Sequence, residues 1–159
     1  MAGVAVGDRA PAFTLPGLDP ADGTTRDYSL AEFAGHPVIL VFYPGDDTPV
    51  CTRQLNTYND GLEQFVALGA QVLAISAQDV PSHERFATKQ GGFDFPLLAD
   101  TDKVVAAAYG TLGPIGFPRR SVFIVDAGGR IRYAHRAIAG LTYRPISELV
   151  EALQQLPST

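Results

Sequence analysis

Residues 38–43, VILVFY, are an unbroken run of large apolar side chains. A strand with one wet face alternates apolar and polar residues, so a run without alternation belongs to a strand covered on both faces. Residues 71–76 (QVLAIS) and 121–125 (SVFIV) repeat the pattern, and residues 130–135 give a fourth strand-like segment. Asp126-Ala127-Gly128-Gly129 joins the last two with a hairpin turn signal. Helical patterns fill the gaps. Ser29 and Glu32 form a capping-box pair on a short helix. Leu55, Tyr58, Leu62, Phe65 and Val66 keep a helical spacing, residues 81–89 and 102–109 predict two more helices, and Ile146, Leu149, Val150 and Leu153 predict an amphipathic one at the C-terminal end. The Gly/Pro/Asp-rich residues 16–23 read as a loop or hairpin. The expected architecture is α/β, a central mixed β-sheet flanked by helices, as one domain over residues 1–159.

The totals exclude several classes of function. A chain of 159 residues can bury roughly 68–70% of its unfolded surface, so it needs no disulfide or metal staple. The net charge of −5 argues against binding nucleic acid or an anionic membrane. No apolar run approaches the ~20 residues of a membrane helix. The start, MAGVAVGDRAPAF, lacks a basic region followed by an apolar one, and a single cysteine suits a reducing compartment, so a cytoplasmic protein is expected. His36, His83 and His135 are scattered without metal spacing, while Gly91-Gly92 and Gly128-Gly129 read as turns, not phosphate loops. No cofactor is expected. Phe117-Pro118 offers either an apolar pocket wall or plain loop packing.

Cys51 is the only cysteine. The chain therefore cannot form a disulfide with itself, and Cys-x-x-Cys dithiol chemistry is ruled out. A Cys–His pair stays open, though no protease-like motif surrounds Cys51. Thr48 followed by Pro49 is a helix start, with Thr48 as N-cap and Pro49 at the first helical position. Cys51 then stands third in the helix, and capping geometry puts the Thr48 side chain beside it. The sulfur meets the positive end of the helix dipole and free backbone donors. That end favours an anion by only ~0.3–1 kcal/mol, less than one tenfold step at ~1.36 kcal/mol. Strong activation needs a second cation. Asp46 and Asp47 have the wrong sign and are expected to point to solvent. The bland alternative is an inert thiol: Cys51 shares an apolar helix stripe with Leu55, and the helix pattern alone favours a core residue.

The run FYPGDDTPVCT resembles the peroxiredoxin active-site motif Pro-x-x-x-Thr-x-x-Cys, here Pro44, Thr48 and Cys51. Three more segments are similar to that family in the family's order: GDRAPAFTL to its N-terminal strand, FPLLADTDKVVAAAYG to the segment after its third strand, and RRSVFIVD to the strand that carries its active-site arginine. FYPxDxTPxCT and the chain length most resemble the bacterioferritin-comigratory-protein subgroup. The resemblance implies a thioredoxin-like fold and a peroxidase acting on hydrogen peroxide or small organic hydroperoxides. It implies Cys51 as the peroxidatic nucleophile that becomes a sulfenic acid, Thr48 as hydrogen-bond partner of the thiolate and the peroxide, Pro44 as a shield from water, and backbone N–H groups of Val50 and Cys51 as helpers. It also implies Arg120 as the missing cation; the adjacent Arg119 should lie on the opposite face by strand alternation.

Asn56 stands where members of this subgroup often carry a resolving cysteine, and residues 83–89, the other place for one, have none. The resemblance then implies a one-cysteine enzyme whose sulfenic acid is reduced by an external thiol: a thioredoxin, a glutaredoxin or a low-molecular-weight thiol. It allows a monomer or a homodimer. Gln54 and Tyr58 fit the subgroup's polar and aromatic positions, with Gln54 either near the active-site loop or a solvated helix residue. Two other readings remain: a redox sensor or holdase in which Cys51 oxidation controls a partner interaction, and a thioredoxin-fold binding module with a core cysteine.

Overall fold

The computed structural model describes residues 4–46, 48–113, 116, 118–137 and 143–156. Seven strands are described: β1 (Thr14–Leu18), β2 (Thr25–Ser29), β3 (Val38–Phe42), β4 (Gln71–Ser76), β5 (Leu97–Ala99), β6 (Ser121–Val125) and β7 (Ile131–Arg136). They form one sheet in the order β2-β1-β5-β4-β3-β6-β7. β3, β4 and β5 are parallel, and every other pairing is antiparallel, so the sheet is mixed. Its helices are α1 (Pro49–Asp60), α2 (Leu62–Val66), α3 (Val80–Lys89), α4 (Val104–Ala108) and α5 (Ile146–Gln154), with a 3-10 turn at Leu30–Phe33.

The unbroken apolar runs are explained by two cores. Successive residues of a strand point to opposite faces. Ile39, Val41 and Tyr43 pack under α1, α2, α3 and α5 with Leu55, Phe65, Phe86 and Leu149. Val38, Leu40 and Phe42 pack on the other face with Val105, Ala106, Tyr109 and Phe123. All six of those β3-end residues lie at 2% exposure or less. Burying a side chain of this size stabilises by about 1.5–3 kcal/mol, so a polar residue anywhere in the run would be costly.

The structure departs from the sequence reading at several elements. Ser29 makes no cap hydrogen bond; its hydroxyl shares a 2.8 Å bond with that of Thr14 across the β1–β2 pair. The helical spacing from Leu55 to Val66 covers two helices broken at Gly61, and Val66 is exposed. A Cβ at Gly61 would collide with Ile146, so the break lies against the first residue of α5. The helix expected over 102–109 begins at Val104, because Lys103 adopts a left-handed φ of 60°. The Asp100 carboxylate caps it instead, accepting from the N–H groups of Val105 (3.2 Å) and Ala106 (2.8 Å). The loop or hairpin expected at 16–23 is the hairpin between β1 and β2, with residues 16–18 already strand. β2 and β5 had no apolar run long enough to announce them. No described helix is long and apolar enough to cross a membrane.

Candidate active site

The chain leaves the sheet at the C-terminal end of β3, passes through residues 43–46 and enters α1 after Thr48. Pro49 occupies the start of the helix, where its fixed φ suits helix entry and its missing N–H costs nothing. Thr48 is the N-cap residue, extended at φ −86° and ψ 149°, and its carbonyl accepts the first helical bond from Thr52 N–H at 2.8 Å. Its side chain does not cap. Thr48 is an exposed residue, and its hydroxyl donates to the Gly45 carbonyl at 3.3 Å, not to the first-turn N–H groups and not to the sulfur. The expected capping contact is therefore replaced by a bond back into the turn. The hydroxyl has its proton committed to Gly45, and its lone pairs remain to accept a proton from a visiting molecule.

Cys51 is free and fully buried, 0% exposed, in the core under α1. Arg120 reaches it from the residue just before β6. The guanidinium Nη2 donates to Cys51 Sγ at 3.3 Å, and Nη1 donates to Gln54 Oε1 at 2.6 Å. Arg120 is 3% exposed and Gln54 is 0% exposed. Gln54 lies three residues beyond Cys51 on the same helix face, which is why one planar guanidinium can touch both. The guanidinium thus sets a buried positive charge against the sulfur, in a place where water is excluded and electrostatic attraction is strong. Arg119 is turned away: its Nη2 donates to the Gly110 carbonyl at 3.4 Å and its backbone N–H to Thr111. Pro44 is half-buried in the turn beside buried Tyr43 and Gly45. Asn56 is engaged with Gln90 through a 3.0 Å side-chain bond.

Asp46 overturns its sequence expectation. Its side chain points inward, with 2% exposure, and is bound on both oxygens. Oδ1 accepts from the Tyr43 hydroxyl at 2.7 Å; Oδ2 accepts from the Ser82 hydroxyl at 2.7 Å and lies 2.7 Å from His83 Nδ1. Burial alone would raise the Asp46 pKa, but the bonds and charge of His83, with Tyr43 and Ser82, hold it below the ordinary carboxylate range. Burial, joined by the neighbouring Asp46, pushes the Tyr43 phenol well up. Asp47 and Phe117 lie outside the described residues. Among the described residues, no group of three His, Cys, Asp or Glu could hold a metal ion.

Gln54 and the Tyr43–Asp46–His83–Ser82 cluster are what sequence reasoning undervalued. The helix offset from Cys51 was a signal for Gln54. Nothing local signalled that Asp46 would meet a histidine from α3.

The AhpC/TSA family matches residues 6–134 of the chain. A putative chloroplastic peroxiredoxin Q of Oryza sativa subsp. indica is 34% identical over 157 residues, covering 98% of this chain and 68% of the relative. A putative peroxiredoxin of Mycobacterium tuberculosis is 40% identical over 132 residues, covering 79% of this chain and 80% of the relative. Among solved structures, Mycobacterium bovis AhpC superposes with a TM-score of 0.88 at 24% identity, over 97% of this chain and 93% of that one. The mitochondrial 2-Cys peroxiredoxin of Plasmodium falciparum superposes with a TM-score of 0.85 at 26% identity, over 94% and 92%. The sheet and its helices are thus the thioredoxin-like α/β fold. Since the family match spans most of the sequence and the relatives align over 98% and 79% of it, the chain belongs to the AhpC/TSA family, the peroxiredoxins, and is a thiol-dependent peroxidase whose one cysteine is Cys51.

Proposed function

We propose that residues 1–159 work as one peroxidase domain in which Cys51 is the peroxidatic nucleophile, Arg120 its cation, Thr48 the peroxide acceptor and Pro44 the shield against bulk water. The observation that carries this reading is the Arg120 contact, 3.3 Å from Nη2 to the sulfur, held in plane by Gln54. A helix end alone was too weak to hold a thiolate, and this buried guanidinium supplies what it lacked.

The Cys51 thiolate attacks the terminal oxygen of a hydroperoxide in line with the O–O bond. An S–O bond forms and the O–O bond breaks. Its electrons leave on the distal oxygen, which takes a proton to become an alcohol or water. The sulfur is oxidised by two electrons to the sulfenic acid, and the peroxide is reduced by two. Arg120 and the first-turn N–H groups of Val50 and Cys51 stabilise negative charge as it spreads over the peroxide oxygens. The Thr48 hydroxyl, donating to Gly45, accepts the peroxide O–H and orients it.

Recycling uses an external thiol: a thioredoxin, a glutaredoxin or a low-molecular-weight thiol. The first thiol forms an S–S bond with Cys51 and expels water; a second displaces the Cys51 thiolate and leaves as the disulfide. Asn56 occupies the place of an internal resolving thiol and is tied to Gln90, which supports an outside partner. The single cysteine fits a reducing compartment such as a cytoplasm, with the protein as a monomer or homodimer.

The test is peroxide consumption by the wild type with each reductant class, beside Cys51→Ser. Consumption is expected only with the cysteine and an external thiol, with a mixed disulfide trapped at Cys51. A Cys51→Ser protein that still consumes peroxide sinks the proposal.

A further inference from the structure

Outside the Cys51 site, one buried cluster has no part in the chemistry: Asp46, His83 and Tyr43, with the half-buried Ser82 hydroxyl. Its hydrogen bonding is complete. His83 Nε2 lies 2.9 Å from the Leu98 carbonyl, which can only accept, so Nε2 carries a proton. The other ring nitrogen lies 2.7 Å from Asp46 Oδ2, and that short bond holds the remaining proton of the pair. His83 is 0% exposed, and the Asp46 side chain 2%. Arg85 and Lys89, further along α3, line a cavity of about 420 Å³ together with Asp46, Gln78, Ser82 and Phe86.

The placement of the cluster suggests its use. Tyr43 ends the β3 run, Asp46 sits mid-turn, Ser82 and His83 belong to α3, and Leu98 is in β5. The Asp46 backbone N–H also donates to Gln78 Oε1. The turn that delivers Thr48 and Cys51 is thereby bound through a side chain to α3 and through the backbone to the loop that precedes α3, and His83 carries the link on to β5. The Thr48 hydroxyl takes its direction from the Gly45 carbonyl, one residue before Asp46.

We propose that the Asp46–His83 pair is the positioning device of the peroxide pocket: by clamping residue 46 to α3 and β5, it sets the Gly45 carbonyl, and through it the Thr48 hydroxyl and the first turn of α1. Asp46 and His83 are positioning residues, since neither touches the sulfur. This rests on the peroxidase reading of Cys51. A reacting geometry displaced by about 1 Å can cost roughly 100-fold in rate. The Arg120–Cys51 contact comes from the residue before β6 and does not pass through the pair, so that contact survives its loss.

The experiment compares two rates at the same thiol in wild type, His83→Phe and Asp46→Asn. One is oxidation by hydrogen peroxide, followed by stopped flow; the other is alkylation by a neutral haloacetamide, which needs a thiolate but no peroxide pocket. His83→Phe is expected to lower oxidation by roughly 100-fold, and Asp46→Asn by about 10-fold or more, with alkylation unchanged or faster. Should His83→Phe fail to fold, the isosteric Asp46→Asn decides alone. A folded Asp46→Asn protein whose oxidation-to-alkylation ratio stays within about threefold of wild type overturns the proposal and leaves the pair a structural staple. A wild type that consumes no peroxide overturns the peroxidase reading itself, a distinguishable result.

Discussion

Arg120 illustrates how one side chain can do two jobs through its shape. One guanidinium nitrogen faces the sulfur and another faces Gln54 Oε1, so charge and orientation come from the same fork. Lysine would bring the charge without the second bond. Arg120→Lys is expected to reduce the rate constant for hydrogen peroxide by about 100-fold, and Arg120→Gln by about 1,000-fold, the scale of losing a preorganised donor. Stopped-flow oxidation of Cys51 checks both, and rates within a few-fold of wild type would remove Arg120 from the mechanism. Gln54→Leu keeps the charge and loses only its brace; a rate about 10-fold lower is expected from the same assay, between the wild type and Arg120→Lys. Arg120 was identifiable from its family-like strand. Gln54 was visible only as a helix offset, because burial depends on what covers the helix.

At the scale of elements, the start of α1 forgoes a stabilising side-chain cap. An N-cap threonine normally bonds a first-turn N–H, and losing that bond costs ~1 kcal/mol. Thr48 makes no such bond here. Thr48→Val is therefore expected to change unfolding free energy by less than about 0.5 kcal/mol in denaturant titration while lowering the peroxide rate at least about 10-fold. A full capping loss with an unchanged rate would reverse both assignments. Among the strands, β4 and β6 were legible to the residue, since an apolar run carries its own boundaries. β2 is the contrary case. Its residues TRDYS are mostly exposed with only Tyr28 buried, and they form a strand because β1 is there to pair with. β5 has three residues and is held between β1 and β4. The partners of β5 are distant in sequence, so no local pattern announces it, whereas β2 follows β1 directly through a hairpin.

Across the whole molecule, the buried Asp46 links the site to stability. Its folded-state pKa lies below the ordinary value of 3.8. A depressed carboxylate contributes stability that is present above the unfolded pKa and lost as pH falls through the folded one. The wild type should therefore lose stability as pH drops below about 4, and Asp46→Asn should be less stable than wild type at neutral pH with a smaller further loss by about pH 3. Urea unfolding at both values measures this; equal acid losses in the two proteins would count against the ion-pair account. Removing one partner of a buried pair typically costs about 3–5 kcal/mol, which bounds the effect.

The sequence by itself determined the α/β alternation, the doubly buried strands and a lone thiol at a helix start, because apolar periodicity, capping residues and prolines act over a few neighbouring positions. Its resemblance to peroxiredoxins named the residues around that thiol. Only the tertiary structure decided that Arg120 and Gln54 would share one buried contact, that Thr48 would turn back to Gly45, and that Asp46 would face inward to His83. The reason is physical: a charge goes where its partner is, and the partners of Cys51 and Asp46 arrive from β6 and α3, brought there by the sheet.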